Sequence, residues 1–316
     1  MLRPATSLAL ALLGAGAAAA SVPPLRSPQA IVVDDASGEV LLQKNGDAVA
    51  PIASLTKLLT AMVVLDAQQD ADELLRIAPV DRDGRSSGGL RVGALASRGS
   101  LLELALMASD NHAASALARH YPGGLPAFHA AVQRKIASLG LTHTVIEEPT
   151  GLSPANVSSA QDLARLLRAA AAYPLIAEIT SRRSQMVSVN GRPLVVHNTN
   201  PLVGAPGWNI VLSKTGFTNE AGRCLSMRLQ AAGRTVSVVL LGAVSSAQRA
   251  VDALQIRHWL GRGEKPSVAT ATAAREPPRR ARLLFATARE RDGALEPRPG
   301  FLAEAAQPAA SGASAE

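Results

Sequence analysis

The stretch Ile52–Asp66, IASLTKLLTAMVVLD, is apolar at almost every position. A helix of this composition has no polar face to turn toward water, so other elements must enclose it on all sides. We therefore predict a buried helix from about Ser54 to Gln68. Lys57 conflicts with this burial, because a charged ammonium group is costly to remove from water.

Strand-like and helix-like stretches occur in separate groups along the chain. Two short β-rich runs flank Asp35-Ala36-Ser37-Gly38, which is a hairpin signal. Three more runs follow from Gly207, separated by the turn-forming sequences NEAG and AAGR, and several amphipathic helical patterns fill the interval. Strands joined by tight turns are antiparallel. We predict an α+β fold, in which one antiparallel sheet is flanked by helices and adjoins a mostly helical subregion.

The first residues resemble a secretory signal peptide. Arg3 precedes an apolar run that ends in the small residues Ala18-Ala19-Ala20. The alternative is an uncleaved N-terminal anchor, although the run is short and rich in Ala and Gly for a membrane span. We predict a signal peptide at 1–20, a periplasmic mature protein, and no transmembrane segment after signal removal.

The C-terminal part changes in composition from about Gly263. It is rich in Ala, Pro and Arg and has few residues that could be buried. We predict a folded domain at 21–262 and a largely disordered tail at 263–316. Leu283-Leu284-Phe285, which has basic neighbours, is a candidate interaction segment within that tail.

Charge and residue counts exclude several classes of function. The formal net charge is +7, which suits an anionic wall polymer, but no Lys/Arg block is interleaved with aromatic residues, so nucleic acid is not an expected partner. The single cysteine, Cys224, cannot form an internal disulfide and is predicted to be a small buried residue. The six histidines form no metal-ligand pattern, so we expect neither metal nor cofactor.

The lysine in the apolar helix has a chemical interpretation. Ser54 and Lys57 are three residues apart and share a helix face. Burial destabilises the charged form of a lysine, so its pKa falls, and a neutral Lys57 amine could remove the proton of Ser54. Alone, this pattern is also typical of a solvent-facing lysine at a helix start.

Two further motifs carry side chains of the kind that an acyl-transfer site needs. Ser109-Asp110-Asn111 lies at a corner between two helical patterns, where an ordinary helix cap is the alternative. Lys214-Thr215-Gly216 ends a strand-like run, where Gly216 would let a substrate approach closely and Lys214 and Thr215 would suit a carboxylate. Lys214 is also expected to act as a second cation that lowers the pKa of Lys57.

In this order the three motifs form the signature of penicillin-binding proteins and class A β-lactamases. The surrounding segments resemble low-molecular-mass penicillin-binding proteins, the serine D-alanyl-D-alanine peptidase family. The resemblance covers roughly residues 27–262 and is closest to the D-alanyl-D-alanine endopeptidase subgroup, the penicillin-binding protein 7 type. It implies a β-lactamase/DD-peptidase-like fold, with the site between the sheet and the helical region.

The resemblance also implies a role for each motif residue. Ser54 would be the acylated nucleophile, Lys57 its base and Ser109 a proton relay, while Asn111 would bind the peptide. Lys214 and Thr215, with Gly216 beside them, would bind the substrate carboxylate, and the backbone N–H groups of Ser54 and Phe217 would hold the oxyanion. The chain departs from many carboxypeptidases of this broad family, because the tail offers neither a second β-rich domain nor an amphipathic anchor clearly.

The resemblance therefore implies a penicillin-sensitive DD-peptidase that cleaves D-alanyl bonds in peptidoglycan stem peptides and cross-links. β-Lactam antibiotics would be covalent inhibitors at Ser54. An endopeptidase is expected, with a DD-carboxypeptidase as the alternative, because both substrates present a D-centre near a carboxylate.

Three other functions are less compatible with the motifs. A β-lactamase would need a deacylating glutamate such as Glu147 or Glu148. A non-catalytic wall-binding protein would not need Ser54 and Lys57. A Ser-His-Asp hydrolase of the α/β-hydrolase fold would show a Gly-x-Ser-x-Gly elbow, which is absent, and His112 is expected to support the site or lie at the surface rather than act as the base.

Overall fold

The structure, a computed structural model, describes residues 23–82 and 89–262. The predicted signal peptide at 1–20 and the predicted tail at 263–316 lie outside the described residues. The strands are β1 (Gln29–Asp34), β2 (Val40–Lys44), β3 (Ala50–Pro51), β4 (Leu74–Arg76), β5 (Leu95–Ser97), β6 (Val157–Ser158), β7 (Ser184–Val189), β8 (Arg192–His197), β9 (Asn209–Thr218), β10 (Gly222–Ala231) and β11 (Arg234–Ala243). The α-helices are α1 (Thr56–Asp66), α2 (Arg98–Leu106), α3 (Asn111–Arg119), α4 (Gly124–Ser138), α5 (Ala160–Ala170), α6 (Pro174–Ser181) and α7 (Ser246–Gly261).

The main sheet joins the early and late strands of the chain. Its order is β2-β1-β11-β10-β9, and every neighbouring pair is antiparallel. Gln29 in β1 stands opposite Leu241 in β11, so the first strand lies inside the sheet next to the last. β9 is an edge strand. The prediction of one antiparallel sheet built from two separate groups of strands is confirmed.

Helix α1 is the buried helix that the apolar stretch predicts. All nine residues from Thr56 to Val64 are buried. The helix differs from the prediction at its start, because Ser54 lies in a short 3₁₀ turn, Ala53–Leu55, that precedes α1. Ala53 adopts a positive φ of 48°, and the Thr56 hydroxyl donates to its carbonyl at 2.9 Å, so the chain turns sharply before it enters the helix.

Apolar side chains of the sheet pack on both of its faces. Leu212, Cys224 and Val239 belong to the core that α1 and its neighbouring helices share. Leu225 and Met227 belong to a second core, to which α7 contributes Ala253, Ile256, Trp259 and Leu260. Side chains alternate between the faces of a strand, so adjacent residues of β10 enter different cores. Cys224 is fully buried, as its strand-like surroundings predict.

Sequence reasoning predicts neither the hairpin of β7 and β8 nor helix α6. The hairpin turn is Asn190-Gly191, and both residues have positive φ angles, 53° and 71°. Asn-Gly between two alternating runs is a strong hairpin signal and could have located it. In the described part of the chain, no helix combines the length and the apolar character that crossing a membrane requires.

Candidate active site

Ser54 and Lys57 meet at the start of α1. The Nζ atom of Lys57 donates to Ser54 Oγ at 2.9 Å. It also donates to Asn111 Oδ1 at 2.7 Å and to the Thr150 carbonyl at 2.6 Å. The Lys57 side chain is almost completely buried, whereas Ser54 is partly exposed. A nucleophile that substrate can reach therefore lies against an amine that water cannot easily reach.

Burial changes the protonation of Lys57. Desolvation lowers its pKa from 10.5 to about 7, while the negative charges of Glu148 and Asp110 oppose this change. A substantial fraction of the amine is therefore neutral near neutral pH, as a general base must be. Burial, the predicted cause, is the largest one; Lys214 is not among the charges that act on Lys57, and the repulsion between the two lysines lowers the pKa of Lys214 instead.

Ser109 and Asn111 reach the site from a corner between two helices. Helix α2 ends at Leu106 and α3 begins at Asn111, with Asp110 as the cap that accepts from the Ala113 N–H at 2.9 Å. Ser109 has a positive φ of 61°, an uncommon conformation for a residue with a side chain. Asp110 therefore caps the helix, while Ser109 contacts Lys214 and Asn111 contacts Lys57.

Lys214 approaches from the edge of the sheet. Its Nζ atom donates to Ser109 Oγ at 2.7 Å and to the Thr215 carbonyl at 3.0 Å. Desolvation lowers the pKa of Lys214 well below its ordinary value, and the positive charges of Lys57 and Arg249 act in the same direction. The Thr215 hydroxyl donates to Thr199 Oγ1 at 2.7 Å. The two lysines therefore each bind one of the two site serines.

Gly216 lets the sheet edge approach the nucleophile. A Cβ atom at this position would lie 2.9 Å from the Ile52 carbonyl oxygen and 3.1 Å from the Ser54 nitrogen. Any side chain here would push β9 away from the turn that holds Ser54. The next residue, Phe217, has a half-exposed ring. This close packing is compatible with an oxyanion site between the N–H groups of Ser54 and Phe217.

A loop that sequence reasoning leaves unassigned completes the site. Thr150 supplies the carbonyl that binds Lys57, and Glu148 accepts from the Thr150 N–H and hydroxyl, each at 2.6 Å. Glu148 also accepts from the Gly151 N–H at 2.6 Å and from Asn156 Nδ2 at 3.1 Å. The EPTGLSPAN pattern predicts a loop, but residue type does not reveal that a backbone carbonyl of this loop holds the base.

These contacts also bear on the alternative nucleophiles and bases. Both carboxylate oxygens of Glu148 are engaged by the loop, which disfavours a role in activating water. His112 is buried, with Nδ1 3.2 Å from the Leu90 carbonyl, as a supporting residue would be. Burial raises the pKa of the Cys224 thiol to about 11, which makes it a poor nucleophile. Among residues 23–82 and 89–262, no group of three or more His, Cys, Asp or Glu is placed to hold a metal ion.

The arrangement provides the groups that acyl transfer to a serine requires. Ser54 has an adjacent base in Lys57, whose Nζ atom lies 2.9 Å from Ser54 Oγ. Ser109 accepts a hydrogen bond from Lys214 at 2.7 Å. One set of hydrogen bonds links Lys57 to Ser54 and Asn111, and a second links Lys214 to Ser109, through contacts that span from 3 to 105 residues.

Comparison with known proteins agrees with this geometry. The model of the D-alanyl-D-alanine carboxypeptidase family, peptidase S11, matches residues 16–245. A D-alanyl-D-alanine endopeptidase of Pseudomonas aeruginosa is 43% identical over 282 residues, which cover 85% of this chain and 91% of that protein. A D-alanyl-D-alanine endopeptidase of Escherichia coli is 40% identical over 277 residues, which cover 86% of this chain and 89% of that protein.

Solved structures are similar over most of the described chain. A D-alanyl-D-alanine carboxypeptidase of Mycobacterium tuberculosis has a TM-score of 0.72 and 28% identity, and the match covers 79% of this chain and 96% of that one. A mutant of the Streptomyces K15 DD-transpeptidase has a TM-score of 0.71 and 25% identity, with coverage of 77% and 100%. The predicted DD-peptidase-like fold is therefore confirmed.

Proposed function

The chain belongs to the D-alanyl-D-alanine carboxypeptidase family of serine peptidases, and from this premise we propose that it is a penicillin-sensitive DD-endopeptidase that cleaves D-alanyl cross-links in peptidoglycan through an acyl-enzyme on Ser54. One observation carries the chemical part of this proposal. The buried Lys57 amine, with a pKa of about 7, lies 2.9 Å from Ser54 Oγ.

The first half of the reaction forms the acyl-enzyme. Neutral Lys57 takes the hydroxyl proton as Ser54 Oγ attacks the carbonyl carbon of the D-alanyl bond. The N–H groups of Ser54 and Phe217 hold the oxygen that becomes negative. As the tetrahedral intermediate collapses, the C–N bond breaks and the proton held by Lys57 passes to the leaving nitrogen through Ser109, which leaves Lys57 neutral; Ser109 Oγ lies 2.7 Å from Lys214 Nζ. Acyl-Ser54 and a free amine result.

The second half returns the enzyme to its starting state. Water adds to the acyl carbonyl and gives a proton to Lys57, and the bond to Ser54 Oγ breaks as Oγ regains its proton. A β-lactam would acylate Ser54 in the same way. The nitrogen released when its ring opens would remain covalently attached to the acyl group, so no leaving group would depart from the site. Asn111 and the pair Lys214–Thr215 would hold the peptide and the carboxylate of the leaving group.

The choice of endopeptidase over carboxypeptidase depends on the relatives. Those at 43% and 40% identity bear the endopeptidase name, whereas a Mycobacterium tuberculosis carboxypeptidase is 34% identical. A DD-carboxypeptidase is the second candidate, because the described site presents the same carboxylate-binding groups to both substrates.

The location and domain organisation form part of the proposal. A signal at 1–20 would direct a peptidase domain, 21–262, to the periplasm, where its substrate lies. The positive net charge of +7 suits an anionic wall environment.

Digestion of purified peptidoglycan tests the proposed function. The mature protein is incubated with cross-linked material, alone or after treatment with benzylpenicillin, and the fragments are resolved by chromatography and mass. We expect loss of cross-linked dimers to monomers, blocked by penicillin. Shortening of pentapeptides with intact cross-links would instead identify a carboxypeptidase, and no change in either would reject peptidase activity.

A further inference from the structure

Phe217 and Arg223 form an exposed pair at the end of the edge strand. Arg223 in β10 stands opposite Phe217 in β9, and its guanidinium carbon lies 3.5 Å from the centroid of the Phe217 ring. The ring is 46% exposed. Stacking of this kind holds both side chains in a defined orientation. The pair therefore presents an apolar surface and a positive charge together, next to the nucleophile turn.

Strand geometry places this pair beside the carboxylate subsite. Side chains two residues apart on a strand share a face, about 7 Å apart, so the Phe217 ring follows the Thr215 hydroxyl on the same face of β9. Arg223 shares that face because it opposes Phe217 in the ladder. The pair thus lies next to the place where the carboxylate of the leaving group would bind.

The charge of Arg223 is not balanced by a carboxylate within the described residues, where its close contact is the Phe217 ring. Its charge also acts on another cation, Arg249. Burial lowers the pKa of Arg249, and the positive charge of Arg223 adds to that effect. Arg249 in turn lowers the pKa of Lys214. The unbalanced positive charge of Arg223 at the outer end of β9 therefore favours an anion there.

Two leaving groups differ at this place. The leaving group of a pentapeptide is a single D-alanine, which has only a methyl group beyond its D-centre. The leaving group of a cross-link continues from its D-centre into a whole stem peptide that bears further carboxylates. We propose that Phe217 and Arg223 form a specificity-determining subsite that binds this anionic stem peptide and so favours cross-links over terminal D-alanine. The inference rests on the proposed endopeptidase function.

The test compares two substrates in Arg223→Gln and in the unaltered enzyme. kcat/KM is measured for a purified cross-linked muropeptide dimer and for a pentapeptide monomer, together with the rate of acylation by benzylpenicillin. A lost charge-assisted contact predicts a roughly tenfold or larger fall for the dimer. Pentapeptide cleavage and penicillin acylation should stay within about twofold, because Arg223 touches neither the nucleophile nor the small leaving group. Arg223→Lys, which keeps the charge, should restore part of the loss.

Arg257→Gln is a matched control. Arg257 also stacks on an aromatic ring, that of Trp208 at 4.9 Å, but it lies next to the opposite end of β9. Its replacement by Gln removes the same single positive charge as Arg223→Gln. If Arg223→Gln lowers kcat/KM equally for both substrates, or leaves kcat/KM for the dimer unchanged, the inference is overturned. The proposed function would not be affected by that result. Penicillin acylation reports whether the variant is folded. If the unaltered enzyme shortens pentapeptides but does not cleave dimers, the proposed function and the inference both fail.

Discussion

Lys57 and Glu148 are held on opposite sides of one residue, Thr150. The Thr150 carbonyl accepts from Lys57 at 2.6 Å, and its N–H and hydroxyl donate to Glu148, also at 2.6 Å. The carboxylate therefore fixes the loop that fixes the base, and its charge raises the pKa of that base. This connection determines how several substitutions should behave.

Replacing Ser54 with Ala should abolish covalent labelling by benzylpenicillin, because Ser54 supplies the hydroxyl that contacts Lys57 within residues 23–82 and 89–262. The fold should persist, since Ser54 is partly exposed and its loss leaves a small change in packing. Intact-mass spectrometry after incubation with penicillin provides the measurement. Ser138→Ala, at an exposed serine on α4, is the control and should label normally. Labelling of Ser54→Ala at any residue would remove Ser54 from its proposed role.

The acylation rate should rise with pH through a midpoint near 7. The pKa of Lys57 is about 7, and only the neutral amine can take the proton of Ser54. Stopped-flow measurement of penicillin acylation between about pH 5.5 and 9 gives the dependence of the acylation rate on pH. This interval extends roughly two units or less on either side of the midpoint. A rate that falls with increasing pH over this interval would contradict a neutral lysine base.

Lys57 should also make stability depend on pH. Its pKa is about 7 in the folded protein and 10.5 as the ordinary value, so between these values the unfolded chain binds more protons. The contribution of Lys57 to the free energy of unfolding therefore rises with pH between these values, by at most about 1.4 kcal/mol per pH unit. Urea unfolding of the unaltered protein and Lys57→Met at several pH values should show a flatter dependence in the variant. Parallel curves would refute the shifted pKa.

Glu148→Gln should slow acylation and also move its pH profile. The amide cannot accept all the loop donors that the carboxylate accepts, so the Thr150 carbonyl should hold Lys57 less well; a loss of about 1–3 kcal/mol in stability is expected. Removal of the negative charge lowers the pKa of Lys57 further, so the midpoint of the acylation profile should shift to lower pH. A purely structural role for Glu148 would lower the rate without moving the midpoint.

Gly151→Ala should inactivate the enzyme. Gly151 has a φ of 85°, and a Cβ atom there would collide with the Ala53 carbonyl and lie 2.8 Å from the Ser54 nitrogen. The turn that carries Ser54 would have to move. Gly191→Ala is the matched control, because Gly191 also has a positive φ, 71°, but has no atom within 4 Å of the added Cβ.

The control should lose about 1–2 kcal/mol of stability from backbone strain and keep its acylation rate. Penicillin acylation of both folded variants makes the comparison. If Gly151→Ala acylates as fast as Gly191→Ala, the loop does not position the nucleophile.

The sequence predicts the central helix and the sheet because their patterns are strong and local. Apolar residues at nearly every position require burial, and Ser54 and Lys57 are only three residues apart, so the 3₁₀ turn and the start of α1 bring them together. The meeting of Ser109 with Lys214 spans 105 residues, and local spacing does not encode it; the resemblance to a known family supplied it. Thr150 acts through its backbone carbonyl, a group that every residue has, so no side-chain motif marks it. The apolar surroundings of Lys57 predict that burial lowers its pKa, but the charges that oppose this change, those of Glu148 and Asp110, come from parts of the chain that local spacing does not bring together.

The place of β1 inside the sheet determines when a newly made chain can become active. β1 begins at Gln29 but pairs with β11, which ends at Ala243, and the strand that carries Lys214 pairs with the late strand β10. Contacts between such distant parts of a chain form slowly, because long loops must close first. A nascent chain therefore carries Ser54 and Lys57 well before they can react, and β-lactams should find no target on it until the last strand has been synthesised.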